Sequence, residues 1–193
     1  MPPKAKITRD MILDAAFDLV REKGHEALNA RELARRLGCS TQPILYAFAA
    51  MDELRSAVYQ RADEYHTAYI LPKGGEGADA LLELGLNYVR FGYEEKHLFR
   101  FLFESDRFGG MDFKGLLRWP GSDELVAILA EALGCPAAEA EKLFMTFFAV
   151  AHGLASLLCN NAMEYDETEC AAMLETVFNG ALAALTSKGE EYA

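Results

Sequence analysis

LARRLGCSTQPILYAF, residues 33–48, sets two short apolar-striped segments on either side of a glycine. Just upstream, Asn29 followed three residues later by Glu32 reads as a capping box, which predicts a short helix from Ala30 to Leu37 stopped by Gly38. Ser40 is placed to cap a further helix, with Pro43 inside its first turn, where the missing N–H costs little. Leu37, Ile44 and Leu45 then pack one helix on the other, and Thr41, Gln42 and Tyr46 face outward. Two helices joined by so tight a turn make a helix-turn-helix. Its second helix fits the roughly 12 Å wide major groove of DNA, where Gln pairs with an adenine edge and a Thr methyl meets a thymine methyl. Arg31, Arg35, Arg36 and the Ser40 hydroxyl are spaced to reach flanking phosphates, and Lys4, Lys6 and Arg9 to follow the backbone from an N-terminal arm. A packed helical hairpin with solvated arginines shows the same local pattern, so the turn alone leaves both readings open.

The surrounding chain also reads as helix, and the fold class is all-α: few stretches alternate with period two, and β-branched residues are sparse. Thr8 is placed to cap a helix with the stripe Ile12, Ala15, Ala16, Leu19 and Val20, ended by Gly24. Asp52 lies near the start of a fourth helix marked by Leu54, Ala57, Val58, Ala62, Tyr65 and Tyr69. The six residues PKGGEG, 72–77, have linker composition. Beyond them, helices are predicted at 77–94, 96–104, 123–134, 137–162 and 167–186, with an irregular stretch from Ser105 to Gly121.

Charge divides unevenly along the 193 residues. Residues 1–61 hold ten Lys/Arg against eight Asp/Glu, net +2, and residues 62–193 hold nine against twenty-two, net −13, which together make the chain's −11. Only the first third is suited to approach a polyanion. Leu143–Met163 runs 21 residues without a formal charge, long enough to span a bilayer, but its polar interruptions and mainly acidic flanks favour a doubly buried helix. Cys39, Cys135, Cys159 and Cys170 form no CxxC pair or zinc-type cluster, and MPPKAKITRD has no apolar signal core, so a reduced, cytoplasmic protein is expected.

Three segments in order and spacing, ILDAAFDLVREKG (12–24), ARELARRLGCSTQPILYAF (30–48) and MDELRSAV (51–58), resemble the DNA-binding domain of the TetR family of bacterial transcriptional regulators. The resemblance covers about 50 residues. It implies a three-helix DNA-binding domain at 1–51 and, after a connecting helix, a helical ligand-binding and dimerisation domain within 52–193, with Thr41, Gln42 and Tyr46 on the recognition helix. One departure is the stretch AAMDE (49–53), where the family often carries a lysine after the aromatic that matches Phe48. FFAVAHGLASLL (147–158) is similar, more distantly, to a subgroup with a Trp-x-x-x-His-Gly pattern in the body, with Phe148 in place of the Trp before His152-Gly153.

Tyr88, Phe91, Tyr93, Phe99, Phe101, Phe103, Phe108, Phe113 and Trp119 crowd about 30 residues, enough to line a pocket for an apolar or aromatic ligand as well as a core. Tyr88, Phe91, Phe99, Phe103, Trp119, Phe148 and His152 are the candidate ligand residues, and Arg90, Arg100, Arg107 and Arg118 lie among them. The resemblance implies that the last two helices form a homodimer interface through Phe147, Ala151, Leu154, Leu158, Leu174, Val177, Phe178 and Ala181, with Ala151, Gly153, Ala155 and Gly180 permitting close helix approach. No GxSxG, phosphate loop, HExxH or dinucleotide fingerprint is present, so neither an enzyme nor a cofactor or metal site is expected. The leading reading is a ligand-responsive regulator, most simply a repressor, that binds a palindromic operator as a homodimer and is released by a small apolar or aromatic molecule. The alternative is a helical adaptor that binds protein instead of DNA.

Overall fold

The computed structural model describes residues 7–74, 77–104, 115 and 122–190, and their regular structure is helical. The chain divides into two compact units: Met1–Ala68 with Glu95–Ser105, and Tyr69–Glu94 with Asp106–Ala193. By compactness the break therefore does not fall at residues 51/52, since most of the fourth helix and all of the sixth go with the N-terminal region.

In the first unit, α1 (Arg9–Lys23) begins where the Thr8 hydroxyl accepts the Met11 N–H at 3.2 Å. It ends at Gly24, whose φ of +84° suits glycine. A 3₁₀ turn (His25–Ala27) leads to α2 (Ala30–Leu37), where Asn29 Oδ1 accepts the N–H groups of Arg31 and Glu32 at 3.1 and 3.0 Å. Gly38, left-handed at φ +63°, closes α2, and the Cys39 N–H returns to the Ala34 carbonyl at 3.0 Å. Only the forward half of the expected capping box is made with the backbone. The Glu32 carboxylate turns instead to Arg35 and Lys23, which hold its pKa down to about 2.

The short α3 spans Gln42–Ala47 and corrects one expectation. Ser40 does not cap it. Thr41 is the N-cap, already in the right-handed helical region, and its carbonyl takes the Ile44 and Leu45 N–H groups at 3.2 and 3.1 Å. A side-chain cap normally serves the N–H of the second or third helical residue. Here the second is Pro43, which has none, and the third, that of Ile44, is already bonded. The long α4 (Met51–Ile70) and α6 (Lys96–Phe103) complete the unit. Ile12, Ala16, Leu19, Val20, Leu33, Ile44, Phe48, Leu54, Val58 and Leu98 form its core, each at most 2 % exposed.

The second unit holds α5 (Gly77–Glu94), α7 (Ser122–Leu133), α8 (Ala137–Asn160) and α9 (Glu167–Glu190). Asp166 starts α9 by accepting the N–H groups of Thr168 and Glu169. Along α8, the one described helix long and apolar enough to cross a membrane, Leu143, Phe144, Phe147, Ala151, Ala155 and Leu158 are buried in this unit's core. Close approach occurs where glycines of α5 meet α8, at Gly85 against Phe147 and Gly92 against Ala155. A Cβ on Gly92 would lie 2.8 Å from the Ala155 Cβ and 3.0 Å from its carbonyl oxygen. Gly153 and Gly180, expected to serve that purpose, have open space where a Cβ would point.

Candidate nucleic-acid interface

Six residues of helix can bury only one narrow face, and in α3 that face is Ile44, continued one turn later by Phe48 at its C-cap. Leu45 lies about 100° around the helix from Ile44. It is therefore 55 % exposed and does not join Leu37 and Ile44 in packing the helices, which is a second correction. The outer surface of α3 consists of Gln42, Leu45 and Tyr46, the last 82 % exposed, with half-buried Thr41 at its start. Gln42 Nε2 donates to the Tyr46 hydroxyl at 3.5 Å, one turn apart, so two polar side chains share one edge of the helix.

The arginines divide by what already holds them. Arg36 forks onto Glu22 with two bonds of 2.7 Å and lies 3.6 Å from Asp18, and Arg35 pairs with Glu32. Hydrogen bonding to these carboxylates raises both guanidinium pKa values. Arg9, expected on a phosphate, bonds the Ala47 carbonyl at the end of α3, bonds Glu53 at 2.9 Å, and lies 3.9 Å over the Phe48 ring. Glu53 also accepts the Ala49 N–H at 2.8 Å, so this cluster joins the start of α1, the end of α3 and the start of α4. Among the described residues 7–61, Arg31 is the one cationic side chain outside an ion pair, and it is exposed. Ser40 is exposed as well. Lys4 and Lys6 lie outside the described residues.

Sequence reasoning missed the most buried carboxylate of this unit. Glu95, 8 % exposed, accepts from Arg21 Nε at 3.0 and 2.8 Å, from Arg21 Nη2, and from the Tyr65 hydroxyl at 3.0 Å. The Glu95 bond is the main cause of a raised Arg21 pKa. With Arg21 and Glu95 74 positions apart, no local pattern could announce the pair.

The candidate ligand residues do not gather in one place. Phe99 and Phe103 belong to the first unit, ring to ring at 5.1 Å, and Phe103 meets His66 edge-on. In the second unit Phe91 is fully buried against Tyr69. Tyr88, Phe148 and His152 do come together: the Tyr88 hydroxyl and His152 Nδ1 share a 2.9 Å hydrogen bond, Phe148 stacks on His152 at 5.8 Å and meets Tyr88 edge-on at 5.4 Å. Burial raises the Tyr88 pKa well above its usual value and keeps the phenol neutral. Arg90 is bonded to Glu167 at 2.6 Å. Trp119, Phe108, Phe113, Arg107 and Arg118 lie outside the described residues.

Of the residues assigned to a dimer interface, Phe147, Ala151, Leu158, Leu174 and Phe178 are at most 4 % exposed within the unit's own core. Leu154, Val177 and Ala181 are half-buried. The outward apolar positions on the same two helices include Leu157 and Met173, 51 % and 45 % exposed. A shallow groove of about 350 Å³ between α8 and α9 is lined by Val150, Glu169, Ala172, Met173, Thr176 and Val177.

A three-helix head presenting α3, in a chain whose described regular structure is helical, defines a helix-turn-helix protein with a helical body. Residues 12–58 match the family model of the bacterial regulatory proteins, tetR family. The tetracycline repressor proteins of class D from Escherichia coli and class H from Photobacterium damsela subsp. piscicida are each 35 % identical over 83 residues, covering 40 % of this chain and 36 % of theirs. The match thus spans little more than a third of those relatives. The fold extends further: a TetR-like transcriptional regulator from Rhodococcus sp. RHA1 superimposes with a TM-score of 0.65 at 18 % identity, over 95 % of this chain and 99 % of that one. A tetR-family regulator from Streptomyces coelicolor does so with a TM-score of 0.65 at 19 % identity, over 96 % and 82 %. The chain is TetR-like in its whole fold.

Proposed function

We propose that this protein is a cytoplasmic transcriptional regulator that binds duplex DNA as a homodimer through α3 and is released by a small ligand bound in its second unit. The observation that carries the reading is the outer face of α3. Gln42, Leu45 and Tyr46 stand exposed on a helix whose other side is fixed in a tetR-family head, with the unpaired Arg31 on the preceding helix. Gln42 reads an adenine edge, Leu45 and the Thr41 methyl meet thymine methyls, and Arg31 and Ser40 hold phosphates.

One such helix reads too few bases for useful specificity, so a two-fold pair on an imperfect palindrome is the working form. The exposed side of α8 and α9, with Val150, Leu157, Met173 and Val177, is the surface for that pairing. Of the residues first assigned to it, Phe147, Ala151, Leu158, Leu174 and Phe178 pack in the subunit's own core, whereas Val177 lines the outward groove. The ligand is apolar or aromatic with one hydrogen-bonding group, matched to the Tyr88–His152 pair and the Phe148 ring. Its effect is repression relieved, through preference for the conformation that binds DNA less well.

The test is a footprint on DNA upstream of the protein's own gene, with the mass in solution measured in parallel. A dimer that protects a palindrome is expected, and a monomer that protects no DNA overturns the reading. For any ligand found, its affinity with and without saturating operator must change by the same factor as operator affinity does with and without ligand. Equal values would leave a DNA-binding protein that this ligand does not regulate.

A further inference from the structure

Lys23 ends α1 and Gly24, His25 and Glu26 follow it without a break, and His97 and Arg100 lie three residues apart on one face of α6. The fold brings the two sets together around a cavity of about 190 Å³ within the first unit, lined by these six residues. The walls are unusually rich in donors for a chain of net charge −11. They carry an ammonium, a guanidinium and two imidazoles against the single carboxylate of Glu26. Both imidazoles are held in place. His25 stacks on Phe101 at 5.6 Å and 22°, and His97 lies against the Cα of Gly24, where a Cβ would stand 3.2 Å from Nδ1.

We infer that this cavity is a binding site for a small oxyanion, a phosphate group free or esterified, held by Lys23, His25, His97 and Arg100. The volume equals that of about six water molecules, which suits a phosphate and part of its hydration and is too small for an extended ligand. Planar and point-like donors converging on one space are what a phosphate requires. The site is not part of the DNA-reading surface. Arg9, at the start of α1, bonds the end of α3, whereas Lys23 is the last of the 15 residues of α1, at the far end of a helix about 22 Å long. Lys23 is engaged by Glu32 at 2.9 Å, so an anion in the cavity competes with that carboxylate and joins the last turn of α1 to α6.

The experiment follows the imidazole C–H signals of the four histidines in the full chain by proton NMR, with sodium phosphate added at constant pH and ionic strength. The signals of His25 and His97, assigned by His25→Gln and His97→Gln, are expected to move and saturate while those of His66 and His152 stay. Arg100→Gln should raise the midpoint about tenfold, the weight of one charge-assisted hydrogen bond, with Arg100→Lys intermediate. The exposed Lys23→Gln should act in the same direction without disturbing the fold. Phenyl phosphate in place of inorganic phosphate distinguishes the sources: a lower midpoint assigns the site to an ester, an equal or higher one to the free ion. Movement of all four signals without saturation, or unchanged titration in both Arg100→Gln and Lys23→Gln, overturns the assignment. It does so without touching the DNA-binding reading, which is tested separately.

Discussion

Replacing Arg9 by Met separates two roles that one arginine near a DNA-binding helix can have. Met keeps an unbranched stem over Phe48 but removes the charge that bonds the Ala47 carbonyl and Glu53. The Arg9 side chain is 52 % exposed, so solvent screening limits the loss from the carbonyl bond and the ring contact together to about 1–2 kcal/mol of unfolding free energy. On DNA the variant should bind its operator more weakly, because the end of α3 is less firmly held, yet with the same dependence on salt. A lost phosphate contact behaves differently: the slope of log K against log salt falls by about 0.9, which between roughly 50 and 200 mM amounts to a factor of about 3.5. Fluorescence anisotropy of a labelled operator at several salt concentrations gives the slope, and urea unfolding gives the stability. A slope reduced by about 0.9 with unchanged urea stability would refute the positioning role and return Arg9 to the phosphates.

Glu95→Gln should cost about 1–3 kcal/mol in urea unfolding, less than a fully buried pair would, because the Arg21 side chain is 43 % exposed and regains water. Gly92→Ala should cost about 1–3 kcal/mol through overpacking against Ala155, and a neutral result would show that α5 and α8 can move apart. Burial pulls the His66 pKa down to about 4, from about 6.5 in the unfolded chain, so the unfolded state takes up the proton first. Its contribution is fully present above about pH 6.5 and is lost as pH falls from there through about 4, up to about 3 kcal/mol; His66→Phe should flatten stability over that window. Leu45→Ala should leave stability unchanged, since the side chain is exposed, and relax operator preference at one position per half-site in a binding-site selection.

The parts of the fold that were legible in the sequence rest on local chemistry. Thr8, Gly24, Asn29 and Gly38 act within a few residues of themselves, and α1 and α2 begin and end where those residues stand. The start of α3 lies one residue beyond what a Ser40 cap implies: Thr41 is the N-cap, and its carbonyl takes the Ile44 and Leu45 N–H groups. Ion pairs were not legible. Arg9 meets Glu53 and Arg36 meets Glu22 only after the helices pack, so two cations expected on phosphate are held by carboxylates elsewhere in the head. The body shows a second limit. The resemblance put Phe147, Leu158, Leu174 and Phe178 in a dimer interface, whereas they pack in the chain's own core; an apolar stripe looks the same whether its partner is the same chain or a second one. The aromatics between Tyr88 and Phe103 look like one cluster along the chain and divide between two compact units in space.

The meeting of Gly92 with Ala155 also constrains how this protein can change over generations. A side chain at 92 collides with both the methyl and the carbonyl oxygen at 155, whereas losing the methyl at 155 leaves only a small gap. Glycine at 155 would remove the methyl but leave the carbonyl oxygen and Cα of that residue 3.0 and 3.1 Å from a Cβ at 92, so shrinking residue 155 does not by itself free residue 92. Residue 92 is therefore held to glycine by the backbone of α8 as well as by a side chain, in every lineage that keeps the two helices this close, however neutral that position looks when read along the chain.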